Sequence, residues 1–219
     1  MRVLETLRWI CCAALTVVIV MSYGTASSAP VMVHAGPAVP QHIVLAQAPA
    51  NLNTDAQIYL LRGLANVFSR GMDEMAEKLR RQGFSPIVIN HRGWQVAAER
   101  IEQNYRNGRT APIILIGHSL GANSAARIAQ RLQRANIPVA YLATFDPTHA
   151  VKVPGNVRYF VNFYQNNGLG RRASFAPSRH KEKVNLNLTS SPGLHHRNID
   201  QSRRLQDIVI ARIREVTAR

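Results

Sequence analysis

Ile113-Ile114-Leu115-Ile116-Gly117-His118-Ser119-Leu120-Gly121 is an apolar strand that runs directly into the pattern G-x-S-x-G. Small flanking residues predict a sharp strand-to-helix turn that lifts Ser119 above the end of a sheet. The five-residue pattern alone arises by chance in roughly one chain in ten to twenty of this length. Its context makes it specific. Four aliphatic residues precede it, and Ala122-Asn123-Ser124-Ala125-Ala126-Arg127-Ile128-Ala129 follows with the composition of a helix packed close to its own strand. The bland reading is a glycine-punctuated buried strand end with an incidental serine.

Outward from that point the chain alternates between two hydrophobic periods. Strands are predicted at Ile58 to Leu61, Pro86 to Asn90, Ile113 to Ile116, Val139 to Phe145 and Asn156 to Tyr164. Helices are predicted at Gly71 to Gln82, Trp94 to Asn107, Ser119 to Ala135 and Asp200 to Val216. Strands separated by helices imply right-handed crossovers and a mostly parallel sheet with helices on both faces, an α/β fold. Ligands of such sheets bind outside the carboxyl ends of the strands, where Gly63, Ser119 and Asp146 all fall.

A serine hydroxyl is a poor nucleophile until a histidine takes its proton, and that histidine needs an orienting acid. Asp146 ends a strand, with Pro147 preventing its continuation; its alternative role is as a turn-capping aspartate in Asp146-Pro147-Thr148-His149. His195 and His196 stand in the loop before the last predicted helix, where Asn198 or Asp200 can cap the helix and fix the loop. Asp146 and His149 could instead share a metal, but no third ligand with recognisable spacing accompanies them, so no metal and no cofactor is expected. His118 is read as packing and hydrogen bonding beside the turn. His91 and Trp94 sit at another strand end, as pocket lining or as an ordinary loop histidine and core tryptophan.

Together, Arg62-Gly63-Leu64 after a strand, Gly117-His118-Ser119-Leu120-Gly121, Phe145-Asp146-Pro147 and His196-x-Asn198-Ile199-Asp200 make the chain resemble a small α/β-hydrolase of the lipase, esterase and thioesterase group, with a minimal cap or none. The resemblance spans most of residues 56–217. It implies a nucleophile, acid and histidine in that chain order. Two carboxylates, Asp146 and Glu182, lie between Ser119 and His195; Glu182 falls in the charged stretch Arg179 to Lys183, which reads as a solvated loop. Asp146 is therefore the expected acid, one strand after the nucleophile where many members of the family place it two strands after. The base comes from His149, His180, His195 or His196; His196 is favoured and His195 is the alternative. An oxyanion hole is expected from the N–H of Leu120 and of Leu64, with Ala65 as the other choice for the second donor. Acyl transfer on a small-molecule ester or thioester is the implied chemistry, with an amide as a variant. A non-catalytic lipid- or envelope-binding protein on the same fold is the other reading.

Residues 1–29 carry Arg2 and Arg8, an apolar run from Trp9 to Val20, and small residues at 24–29. That is the layout of an export signal, or of a membrane anchor where it stays uncleaved. Cys11 and Cys12 lie inside it, so thiol and disulfide chemistry are not expected of the remaining chain. Residues 30–54 read as an Ala- and Pro-rich lead-in, and 55–219 as one hydrolase-like domain. Periplasmic or secreted localisation follows from the signal. The formal net charge is +15. No helix-turn-helix, zinc-finger or aromatic-interleaved motif accompanies that charge, which argues against nucleic acid and for attraction to an anionic envelope surface.

Overall fold

The computed structural model describes residues 51–64, 69–175 and 182–219. The expected leader, most of the lead-in, Ala65 and His180 lie outside them. Along the central strands successive side chains enter opposite cores, as the two-residue period of a strand requires. Ile58, Leu60, Ile114 and Ile116 join one apolar cluster, and Tyr59, Leu61, Ile113 and Leu115 the other. Both faces of the sheet are thus covered, and these strands are apolar throughout, which is characteristic of parallel sheets.

Six strands form the sheet: β1 (Gln57–Arg62), β2 (Ile87–Asn90), β3 (Ile113–His118), β4 (Val139–Phe145), β5 (Val157–Tyr164) and β6 (Lys183–Asn187). Their spatial order is β2-β1-β3-β4-β5-β6, and every pairing is parallel. Among the described residues four helices cover it: α1 (Arg70–Arg80), α2 (Trp94–Arg106), α3 (Leu120–Arg134) and α4 (Arg203–Thr217). Met72, Met75 and Leu79 of α1 pack with Leu205, Val209 and Ile213 of α4 on one face. Ala98 and Ile101 of α2 pack with Ala125, Ile128 and Leu132 of α3 on the other. This is the α/β architecture the alternation predicted. No helix among the described residues is long and apolar enough to cross a membrane.

Two local expectations change. β6 occupies residues whose start was read as a solvated loop; its Lys-Val-Asn-Leu-Asn sequence is polar because it is an edge strand, half-buried at best. Glu182, just before it, pairs with Arg212 at 2.7 Å. The last helix begins at Arg203, and residues 199–201 form a separate 3-10 turn, so Asp200 is not its cap.

Strand order reverses between β1 and β3, since β2 lies outside β1 while the chain after β3 proceeds the other way. That switch opens a crevice at the carboxyl edge of the sheet. Ser119 stands at its rim with φ 58° and ψ −126°, a conformation that costs a non-glycine residue about 1–3 kcal/mol and persists only where packing enforces it. Gly117 and Gly121 do not adopt positive φ. They serve close approach instead: a methyl on Gly117 would strike the Gly121 carbonyl, and one on Gly121 the Leu61 carbonyl of β1. Gly121→Ala is accordingly expected to push α3 off β1 and lower unfolding stability by about 1–3 kcal/mol. An unchanged denaturation midpoint would contradict that packing.

Candidate active site

Because all six strands are parallel, their carboxyl ends share one edge. His118 pairs with Phe145 and Phe145 with Phe163, so the residues just beyond β3, β4 and β5 emerge side by side. The backbone ties them together: the Ser119 N–H donates to the Phe145 carbonyl at 2.9 Å and the Asp146 N–H to the Phe163 carbonyl at 2.8 Å. Asp146 takes φ 46° and is buried. Its Oδ1 accepts from the Gln165 N–H at 2.7 Å, and Gly170 sits so close to that oxygen that a side chain there would collide with it.

His196 lies between the serine and the aspartate. Its Nε2 is 3.0 Å from Ser119 Oγ and its Nδ1 is 3.2 Å from Asp146 Oδ2. A proton on Nδ1 directed at the carboxylate leaves Nε2 as the acceptor for the serine hydroxyl. His195 is exposed and turned to another use: its N–H donates to Asn198 Oδ1 at 2.8 Å, while Asn198 Nδ2 donates to the Gly193 carbonyl at 2.9 Å. Asn198 therefore fixes the histidine loop, as the sequence suggested. The Asp146–His149 metal pair finds no such geometry, because both Asp146 oxygens are engaged and the His149 ring meets Thr148 Oγ1 at 3.1 Å.

His118 supports the histidine loop from below. It is 1% exposed, and burial holds its imidazole down to about 4, so the ring is neutral near pH 7. Its Nε2–H donates to the backbone carbonyl of His196 at 2.7 Å. Its Nδ1 accepts from Ser69 Oγ at 2.9 Å, and Ser69 Oγ accepts from the Gly63 N–H at 2.8 Å. One chain of hydrogen bonds thus joins the loop after β1, the strand end before Ser119 and the backbone of His196. Gly63 does not adopt positive φ either; a Cβ there would stand 2.9 Å from that of Ser119, so glycine is required by proximity.

Asp200 lies beneath this chain, fully buried, with Oδ2 3.8 Å from His118 Nδ1. Neither of its carboxyl oxygens has a hydrogen-bond partner among the described residues. Burial pushes its carboxyl up to about 7, the N–H groups of Asp200 and Gly71 pulling back against that without reaching hydrogen-bond geometry. Ser69, Gln165, Gly170 and the placement of Asp200 escaped the sequence reading. Gln165 alone had a signal, standing directly after a strand at the carboxyl edge.

Above Ser119 opens a cleft of about 450 Å³, lined by Leu64, Leu120, Leu169, His149 and Arg197. Ser119 forms part of the lining and is only 8% exposed. The N–H groups of Leu64 and Leu120 make no hydrogen bond with the described residues. His91 and Trp94 do not line this cleft; His91 Nδ1 meets the Gly63 carbonyl at 3.2 Å, and Trp94 packs against the α2–α3 core.

No protein-family model matches the chain, and no curated protein matches it. Two solved structures are similar in outline. One is a protein from Xanthomonas campestris pv. campestris assigned to the α/β superfamily of hydrolases, 15% identical, with 73% of this chain and 97% of that one covered at a TM-score of 0.42. The other is RedJ, solved with a polyethylene glycol molecule in its active site, 15% identical, with 76% and 94% covered at a TM-score of 0.38.

Proposed function

We propose that the protein is an exported serine hydrolase that cleaves a carboxylic ester or thioester through an acyl-enzyme. The observation that carries this reading is the unbroken contact from Asp146 through His196 to Ser119, at 3.2 and 3.0 Å, at the floor of an apolar cleft. Ser119 Oγ attacks the acyl carbon while His196 Nε2 takes its proton. The same proton then passes to the departing alkoxide or thiolate as the carbon–heteroatom bond breaks. Water, deprotonated by His196, releases the acid and regenerates the hydroxyl. Asp146 holds the imidazole in the tautomer this requires. The Leu120 N–H, at the start of α3, and the Leu64 N–H are the donors for the oxyanion, each worth about 3–4 kcal/mol of transition-state stabilisation. Export rests on Arg2, Arg8 and the apolar run that follows them.

A fluorophosphonate probe tests this directly. The parent is expected to be labelled and Ser119→Ala not. Equal labelling of both, or of neither, overturns the reading. Parallel ester and amide panels distinguish an esterase from an amidase, and ligand binding without turnover, unaffected by Ser119→Ala, would identify a binding protein.

A further inference from the structure

The +15 net charge is left unused by acyl transfer, and its distribution is not even. The described segments at the carboxyl edge of the sheet are 62–64, 69–70, 91–96, 146–150, 165–172 and 188–204. They contain eight arginines, seven of them exposed among the described residues, and two carboxylates. Those two are Asp146 and Asp200, at most 1% exposed. This face therefore shows solvent no carboxylate from its loops. Exposed acids lie instead before β1, as Asp55, and on the helices, as Glu77, Glu99 and Asp207, each of the four paired with an arginine or lysine. The acids nearest this face are Asp73, which pairs with Arg62, and Glu74, both in the first turns of α1.

A second observation coincides with the first. The large apolar side chains exposed among the described residues are Leu64, Leu169 and Val96, at 58, 54 and 70%. Leu64 and Leu169 flank the cleft, and Val96 stands in the first turn of α2, directly after the loop carrying Arg92. Exposed Leu and Val scattered singly need no explanation, but all three gather at the edge whose loops show no carboxylate to solvent.

We infer that this face docks the protein onto an anionic lipid surface, with Leu64, Val96 and Leu169 entering the interface and Arg92, Arg172 and Arg203 meeting the head groups. Charge complementarity names the occupant: cations attract the negative surface within a Debye length, and apolar knobs between them gain by leaving water. A nucleic acid would satisfy the arginines and leave the three aliphatic side chains in solvent. Docking in this pose turns the cleft mouth toward the lipid. It goes beyond the proposed hydrolysis and does not depend on it, so binding is measured on protein carrying Ser119→Ala.

The test is co-sedimentation of the full chain with vesicles of phosphatidylcholine alone, or of phosphatidylcholine with phosphatidylglycerol. Binding is expected to need the anionic lipid, to be released by high salt, and to fall at least about tenfold in R92E/V96S/R172E. R127E/R134E on α3 makes the same change in net charge on another face and is expected to bind as the parent does. None of these residues lies in the buried core, so R92E/V96S/R172E is expected to unfold in urea at the midpoint of the parent, which shows that it folds whether or not the protein is a hydrolase. Equal binding to neutral and anionic vesicles, equal loss in both charge variants, or tighter binding to duplex DNA than to anionic vesicles at the same salt would overturn the assignment.

Discussion

Ser119→Ala is expected to lower kcat/KM for a soluble short-chain ester by about 10⁴-fold or more, and His196→Ala by a similar factor. Combining the two should cost little beyond either alone, because Ser119 Oγ and His196 Nε2 share one proton across a 3.0 Å contact and neither works without the other. Asp146→Asn tests the third contact more sharply than alanine. The Gln165 N–H donates to Oδ1, so an asparagine would place its amide oxygen there and turn its NH₂ toward His196. Nδ1 would then become an acceptor and carry no proton, leaving the proton on Nε2, aimed at the hydroxyl it should deprotonate. A loss of about 10⁴-fold is expected, with Asn no better than Ala. Steady-state kinetics decide it, and retention of activity within tenfold in any of these variants would remove that residue from the array.

Most of the fold was legible because strands and helices here bury continuous apolar runs with unmistakable periods. Ile113 to Ile116 could be read as a buried strand from its composition alone. β6 could not: Lys183-Val184-Asn185-Leu186-Asn187 is an edge strand whose asparagines face polar partners, with Asn185 Nδ2 bonded to the Ala173 carbonyl at 3.0 Å. Tertiary context, not propensity, makes it a strand. The site divides along the same line. Ser119 and Asp146 are marked by their places at strand ends and the histidine pair by its loop before the last helix, but adjacent residues in a loop differ only in direction. What turns His196 inward is the pull of His118 on its carbonyl and of Asn198 on the His195 N–H, contacts that span 78 and 3 residues. Ser69 carries no motif at all; it is legible only after β1, α1 and β3 are packed together. Gly117 and Gly121 flank the predicted turn, but contact with neighbouring carbonyls requires them rather than turn geometry.

Asp200→Asn is expected to stabilise the protein at pH 8 by up to about 4 kcal/mol while changing stability little near pH 4. In the fold the carboxyl protonates at about 7, against an ordinary value of 3.8, so between those limits the folded chain holds a proton that the unfolded chain has released. Stability from this group is present below about 4 and is lost as the pH rises to about 7. His118 runs the other way. Burial holds it down to about 4 against 6.5, so its contribution is lost as the pH falls through that window. The two slopes oppose each other between about pH 4 and 6.5 and conceal one another in the parent. Asparagine removes the first slope and leaves the second, giving a variant whose stability climbs with pH from about 4 to 6.5 and then stays level. His118→Phe would do the reverse and would also release the His196 carbonyl, so its activity should fall even where it remains folded. Urea denaturation at pH 4, 5, 6.5 and 8 measures both slopes. If Asp200→Asn gains nothing at pH 8, the buried carboxyl is not isolated and has a partner that relieves it. If it gains as expected, the chain retains a destabilising acid 3.8 Å from the imidazole that holds the His196 backbone, a cost tolerated where stability and function diverge.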